Sequence, residues 1–358
     1  MAKKINLAVI FGGESREHEV SLKSAAAVIK ILDRNKYNIL PIAVTKKGQW
    51  LIGEKGASYL KTNLALANRE DGITISQSQK LLIKKYPEKT ISNFMEGEGT
   101  GQKIDLVIPL GHGTFMEDGR LQGILDSLHL SYIFSGCLSS ALAMNKNLTK
   151  VIARSEGLTV AADLMIKRGD KISATKIIKT LGLPIVIKPN QAGSSVGVSI
   201  AQNTKEFKNG LAAALNLGEE VLLEQFIGGR ELTCAVFGNK PPRALPVAEI
   251  IPKVSGWFDY KAKYLTDGSD EICPADIPKI ISQKIQKDSL TIFKSLGCED
   301  LARVDFIWNK RSNKIYFLEI NTIPGMTAQS LAPKIAEVAG MNFTIFIEKL
   351  IKQALENN

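Results

Sequence analysis

The chain has 358 residues, 44% of them hydrophobic and 23% charged, the proportions of an ordinary globular protein. That length holds two or three domains with cores of their own, and no apolar run approaches the roughly 18 residues of a membrane span. The net charge is +10, but the lysines are spread along the chain and aromatics are sparse, so the charge suits an enzyme of anionic substrates better than a nucleic-acid binder.

The opening "MAKKINLAVIFGGES" has too short an apolar run for a secretory signal, and "INLAVIF" before "GG" reads as a first strand ending in a tight turn. "SLKSAAAVIKIL" carries Leu22, Ala25, Ala26 and Ile29 at helical spacing, with Ser21 placed as its cap. "NILPIAVT" is the next strand, and the stretch from Gly48 to Gly101 is polar without a clear period. "DLVIPLGHG" is continuously apolar and ends in a glycine loop, as a buried parallel strand does. This first domain is α/β and Rossmann-like and ends near Asn145. Cys137, Cys234, Cys273 and Cys298 lack metal or redox spacing and read as free thiols of a cytoplasmic protein.

The middle holds helices "NLTKVIARSEG" and "ATKIIKTLG", then "PIVIKP", a glycine loop, "VGVSIA", the helix "TKEFKNGLAAALNLG" and "EVLLEQFI". From Arg230 the pattern is mostly β, with one long helix near "PKIISQKIQKDSLTIFKSLG" and two helices at the end. The loop "AGSSVG" lacks the lysine and following helix of a Walker loop, and β-branched residues follow it. It reads as a β-hairpin tip whose serines and amides can face an anion, with Lys188 beside it. A plain Gly/Ser turn is the alternative. In "LARVDFIW", Arg303 and Asp305 share a strand face, and in "FLEINTIPGMT" so do Glu319 and Asn321. Two carboxylates and an amide oxygen make a hard, oxygen-only set suited to Mg²⁺ carrying phosphates. A salt bridge between Arg303 and Glu319 is the structural alternative.

"GGESREHEVSL", "GHGTFMEDGRLQG", "KPNQAGSSVGV", "EQFIGGREL", "FDYKAKYL" and "LEINTIPGMTAQSL" resemble the motifs of the D-alanine–D-alanine ligase family of the ATP-grasp superfamily. The resemblance runs from about Asn6 to Leu350 and is weakest between Gly48 and Gly101. It implies an α/β ATP-grasp fold with α+β elements and an N-terminal Rossmann-like domain. The expected domains are 1–145 on the first-substrate side, 146–228 with the hairpin as a flap, and 229–358 with the metal and catalytic residues. It implies ATP, two Mg²⁺ ions with Mn²⁺ as a substitute, two D-alanine molecules, no nucleic-acid or membrane partner, a homodimer, and a role in peptidoglycan synthesis in the cytoplasm.

Roles follow residue by residue from the resemblance. Glu17 would hold the ammonium of the first D-alanine, with Ser194 and Tyr264 fastening the flap above it. Arg303 and the Gly325 amide would stabilise charge on the transferred carboxyl. His112 would lie near the first substrate, and Ser330 with the Leu331 amide would bind the second D-alanine's carboxylate. Lys146, Lys188 and Lys263 would meet ATP phosphates, while Glu224, Gln225, Phe226, Ile227 and Glu231 would take the adenine and ribose. Asp305, Glu319 and Asn321 would hold the metal. Glu117 and Asp118 would order the loop of His112. Asn145 departs from the aspartate usual in the family. A different amino-acid pair on the same fold, or a nucleotide sensor, are the competing functions.

Overall fold

The computed structural model describes residues 3–15, 17–67, 103–171, 173–193, 196–253 and 268–356. The N-terminal sheet is built from β1 (Ile5–Gly12), β2 (Tyr37–Val44), β3 (Trp50–Ile52) and β4 (Leu106–Pro109) in the order β3-β2-β1-β4. β1 pairs in parallel with both β2 and β4, and β3 lies antiparallel at the edge. Buried on both faces, β1 and β4 need the continuous apolar runs that the sequence gives them.

Helix α1 (His18–Ile31) packs on this sheet and starts three residues before Ser21. Ser21 therefore does not cap it. Its hydroxyl accepts from the Gly12 amide at 2.7 Å and donates to the Leu110 carbonyl at 2.7 Å, tying the turns after β1 and β4 to the helix. The connection continues through α2 (Glu54–Ala67), α3 (Arg120–Ser127), α4 (Cys137–Met144) and α5 (Lys146–Ser155). Asn145 caps α5 by accepting from the Leu148 amide at 3.1 Å.

The second sheet, in the order β5-β8-β6-β7, joins β5 (Asp163–Lys167), β6 (Ile185–Pro189), β7 (Ser199–Ala201) and β8 (Glu220–Gln225). It shares a core with α6 (Ala174–Leu181) and α7 (Thr204–Leu215). β6 and β7 are antiparallel, with Ile187 opposite Ser199, so the glycine loop between them is a hairpin tip.

The third sheet, in the order β11-β10-β9-β12-β13, contains β9 (Arg230–Phe237), β10 (Arg243–Pro252), β11 (Ser269–Ile272), β12 (Leu301–Asn309) and β13 (Lys314–Asn321). α8 (Lys279–Ser295) covers one face, and α9 (Leu331–Val338) packs on β9 and β10. α10 (Phe343–Glu356) joins the core shared with the N-terminal sheet. Strand alternation sorts β9: Leu232, Cys234 and Val236 enter the core under α8, while Ala235 and Phe237 enter the other.

One irregularity decides the chemistry. A bulge opens between Asp305 and Phe306, where Asp305 faces Glu319 but Phe306 faces Phe317. Strict alternation would put Phe317, Glu319 and Asn321 on one face. The extra residue, Leu318, shifts the phase, so Phe317 and Ile320 both enter the α8 core and Glu319 and Asn321 turn to the other side.

Replacing Ser21 by alanine leaves the Gly12 amide and Leu110 carbonyl without their buried partner. The expected loss of unfolding free energy is about 1–3 kcal/mol, read as a shift of the urea midpoint. An unshifted midpoint would show that the bridge contributes nothing.

Candidate active site

The register of β12 and β13 sets Asp305 opposite Glu319 and Arg303 opposite Asn321. The Arg303 guanidinium forms a fork onto Asp305, Nε to Oδ1 at 2.9 Å and a terminal nitrogen to Oδ2 at 2.9 Å. Thr233 on β9 donates to Asp305 Oδ1 at 2.6 Å. Asn321 Oδ1 accepts from the Ile323 amide at 3.0 Å and so shapes the turn after β13. Glu319 Oε2 lies 4.0 Å from Lys146 Nζ. Asp305, Glu319 and Asn321 thus form an oxygen-only donor set within one step of register, and their chemistry fits a hard divalent cation.

Lys146 opens α5 and is buried. Its ammonium donates to the Ala192 carbonyl at 2.5 Å, so it joins the flap to the β12–β13 face. Its own amide donates to the Asn190 carbonyl at 3.2 Å. Asn190 in turn donates to the Asn145 side chain at 3.0 Å and to Glu220 at 2.9 Å. The amide at position 145 therefore does two jobs, capping α5 and anchoring the base of the flap.

Lys188 and Glu224 meet across the β6–β8 pair, with Nζ 2.9 Å from Oε1. The same carboxylate oxygen also takes Lys150, a residue that reading the sequence missed. Burial alone would raise the Glu224 carboxyl, but Lys188 and Lys150 bring it down to about 2. Burial lowers the Lys150 ammonium to about 8 against the pull of Glu224. A signal for Lys150 was present. In α5 the buried face is Lys146, Thr149, Lys150 and Ala153, while Leu148 is 44% and Val151 49% exposed. The helix is amphipathic with its polarity reversed, and two lysines four residues apart on a buried face require anions nearby.

Glu17 stands at the start of α1, buried, with no side-chain capping bond. Two loops close on it. A Cβ at Gly193 of the flap would stand 2.9 Å from Glu17 Oε2, and one at Gly113 would stand 3.1 Å from the same oxygen. Gly113 also has φ +73°, which a side chain would strain. Glu117 Oε2 accepts from the Gly113 amide, and Asp118 accepts from the Phe115 amide at 2.8 Å, so both acids order the loop as expected. His112 Nδ1 lies 3.8 Å from Glu117 Oε1.

Ser330 precedes α9, but its hydroxyl does not cap that helix. It turns back to Thr327, whose amide donates to it at 3.2 Å and whose hydroxyl lies 2.8 Å away. A Cβ at Gly325 would come within 2.9 Å of the Ser330 oxygen, so the residue expected at the transferred carboxyl and the one expected at the second D-alanine's carboxylate are neighbours. The Leu331 amide begins the adjoining helix. Gln225 ends β8, followed by Phe226 and Ile227, and Glu231 lies on β9 opposite Ile307 and Ile250. Ser194, Lys263 and Tyr264 lie outside the described residues.

The three-sheet architecture, with a hairpin flap facing a β-sheet that carries paired carboxylates, defines an enzyme of the ATP-grasp fold. Residues 6–137 match the family described as D-ala D-ala ligase N-terminus, and residues 152–352 match D-ala D-ala ligase C-terminus. A D-alanine–D-alanine ligase of Proteus mirabilis is 38% identical, with 99% of this chain and 96% of that protein covered. Its counterpart in Chlorobium phaeovibrioides is 36% identical over 99% of this chain and 98% of that one. The chain belongs to the D-alanine–D-alanine ligase family. Among solved structures, the VanG D-Ala:D-Ser ligase of Enterococcus faecalis superposes with a TM-score of 0.80 at 33% identity, covering 98% of this chain and 100% of that one. The Bacillus anthracis D-alanine–D-alanine ligase complexed with ATP gives 0.73 at 27% identity, with 98% of each chain covered.

The pair His112–Glu117 yields a titration prediction. Burial disfavours the imidazolium, but Glu117, helped by Glu17 and the Ile323 carbonyl, outweighs it and raises His112 above its usual value. Its charged form contributes stability that is complete below about pH 6.5 and is lost as pH rises through the raised value. NMR titration should place His112 above about 6.5, and Glu117→Gln should bring it below. A His112 already low in the parent, or unmoved by the substitution, contradicts the pairing.

Proposed function

We propose that the chain joins two D-alanines to D-alanyl-D-alanine, converting ATP to ADP and phosphate, for peptidoglycan synthesis. The observation that carries this reading is the β12–β13 register, which gathers Arg303, Asp305, Glu319 and Asn321 on one face beside the flap-bound Lys146. Family membership adds the substrate class. Residues 1–145 serve the first substrate, 146–228 form the central grasp with its flap, and 229–358 carry the metal and catalytic groups. The enzyme works in the cytoplasm as a homodimer. Among the described residues no helix is long and apolar enough to cross a membrane.

Glu17 receives the ammonium of the first D-alanine, in a pocket narrowed by Gly113 and Gly193, with His112 beside it. The carboxylate of that D-alanine attacks the γ-phosphorus of ATP. The bond to the β-phosphate oxygen breaks, and an acyl phosphate and ADP result. Lys146, Lys188 and Lys263 hold the phosphates, Glu224 and Glu231 take the adenine and ribose, and residues 225–227 offer backbone to the base. Asp305, Glu319 and Asn321 would hold Mg²⁺, two ions in all with Mn²⁺ as a substitute, which when bound neutralises phosphate charge. The second D-alanine's carboxylate rests on Ser330 and the Leu331 amide. Its amine attacks the acyl carbon, and phosphate leaves from the tetrahedral intermediate. Arg303 and the Gly325 amide are aimed at the oxyanion, a service worth about 2.7–4 kcal/mol per donor in comparable sites. The closed flap, fastened through Ser194 and Tyr264, keeps water from the acyl phosphate.

The likeness to a D-Ala:D-Ser ligase favours one second reading, D-serine as the acceptor. Phosphate release from ATP, with mass analysis of products from equal D-alanine, D-serine and D-lactate, decides between them. D-alanyl-D-alanine is the expected main product. Predominant D-alanyl-D-serine would change the acceptor, and no D-alanine-dependent phosphate release would overturn the ligase reading.

Glu319→Gln removes a charged donor from the metal set without disturbing the cores. Turnover should fall by about 100-fold or more while the melting temperature stays near that of the parent. Near-normal turnover would take Glu319 out of the site.

A further inference from the structure

Lys150 is fully buried, and its ammonium sits on Glu224 Oε1, the oxygen that also takes Lys188. A structural ion pair needs one cation for one carboxylate. Here two ammonium groups share one oxygen, and the buried trio carries an excess positive charge. The acid nearest in register, Asp163 on β5, favours the Lys150 ammonium through its field but forms its ion pair with Arg154. Excess buried charge is costly unless an anion completes the site. The crowding has a second consequence. Both ammonium groups approach Glu224 most closely at Oε1, which leaves Oε2 as the carboxylate oxygen on which neither is centred.

The geometry points to Lys150 as a positioning residue of the nucleotide site: it anchors the Glu224 carboxylate from below, which keeps Oε2 open for a base N–H and leaves Lys188 its charge for a phosphate. This inference rests on the ligase reading above. Without Lys150, Lys188 becomes the sole counter-ion of Glu224 and is drawn onto it, away from phosphate. The α5 helix supports the arrangement. Lys146 and Lys150 lie one turn apart on its buried face, the first turned to the flap and Glu319, the second to Glu224. One helix thus sets both the phosphate end and the base end of the same ligand. A merely structural Lys150 would affect stability and leave nucleotide affinity alone.

The test measures ADP affinity by calorimetry for the full chain, Lys150→Met, Glu224→Gln and the double variant, with melting temperatures and the KM values for ATP and D-alanine alongside. Lys150→Met should weaken ADP binding about tenfold and raise the KM for ATP in parallel, with the KM for D-alanine changed by less than about twofold. Because Lys150 acts through Glu224, its removal should change nothing further in the Glu224→Gln background. Unchanged ADP affinity in Lys150→Met, or additive losses in the double variant, would overturn the inference. If Lys150→Met does not fold, the double variant against Glu224→Gln decides: equal affinities support Lys150 acting through Glu224, and unequal ones overturn it. A parent chain that binds no ADP would instead overturn the ligase reading.

Discussion

A charge removed from water must be paired or must await a partner of opposite sign, and this constraint organises the whole cleft. Lys146, Lys150, Lys188, Glu17, Glu224 and Asp305 are all buried. In a protein interior such groups cost several kcal/mol each unless compensated, so their concentration in one place marks a site for charged ligands. Glu224 takes its two lysines, Arg303 forks onto Asp305, and Lys146 stands between the flap carbonyl of Ala192 and Glu319.

The site draws its walls from every part of the chain, and specific bonds hold those parts in register. Ser24 of α1 accepts from the Met326 amide at 3.3 Å, which fixes the helix that starts at Glu17 against the turn carrying Gly325. Asp300, at the start of β12, accepts from the Phe134 amide at 2.9 Å and from Asn239 at 2.7 Å. Burial holds its carboxyl up at about 6 against those donors. The N-terminal sheet and the far face of the third sheet also share one continuous core. The central sheet has a core of its own, and Lys146 reaches the flap through the Ala192 carbonyl and its base through the Asn190 carbonyl. Separate packing of this kind suits the flap role proposed for the hairpin.

Much of this was legible in the sequence because local rules decided it. The continuous apolar runs of β1 and β4 announced a buried parallel sheet, and the β-branched residues after "AGSSVG" announced a hairpin. Arg303 and Asp305, and Glu319 and Asn321, were paired by alternation. What alternation could not supply was the bulge at Leu318, a long-range adjustment that keeps Phe317 and Ile320 in the core while turning the polar pair outward. Ser21 was read as a cap because capping is a local signal, whereas its bonds to Gly12 and Leu110 depend on strands distant in sequence. Lys150 escaped because a lysine is by default a solvated residue, and only its buried neighbours reveal otherwise. The Arg303–Asp305 fork, too, required knowing that Thr233 of β9 would hold the carboxylate in place.

The central proposal is that Asp305, Glu319 and Asn321 hold the divalent cations that accompany a nucleotide at this site. Crystals grown with ADP and Mn²⁺, measured for anomalous scattering at the manganese edge, test it directly. The account predicts two peaks, which together lie about 2.0–2.3 Å from carboxylate oxygens of Asp305 and Glu319 and the amide oxygen of Asn321, with the nucleotide base beside Glu224. Nucleotide density in the cleft with manganese elsewhere, or with none bound, would contradict it.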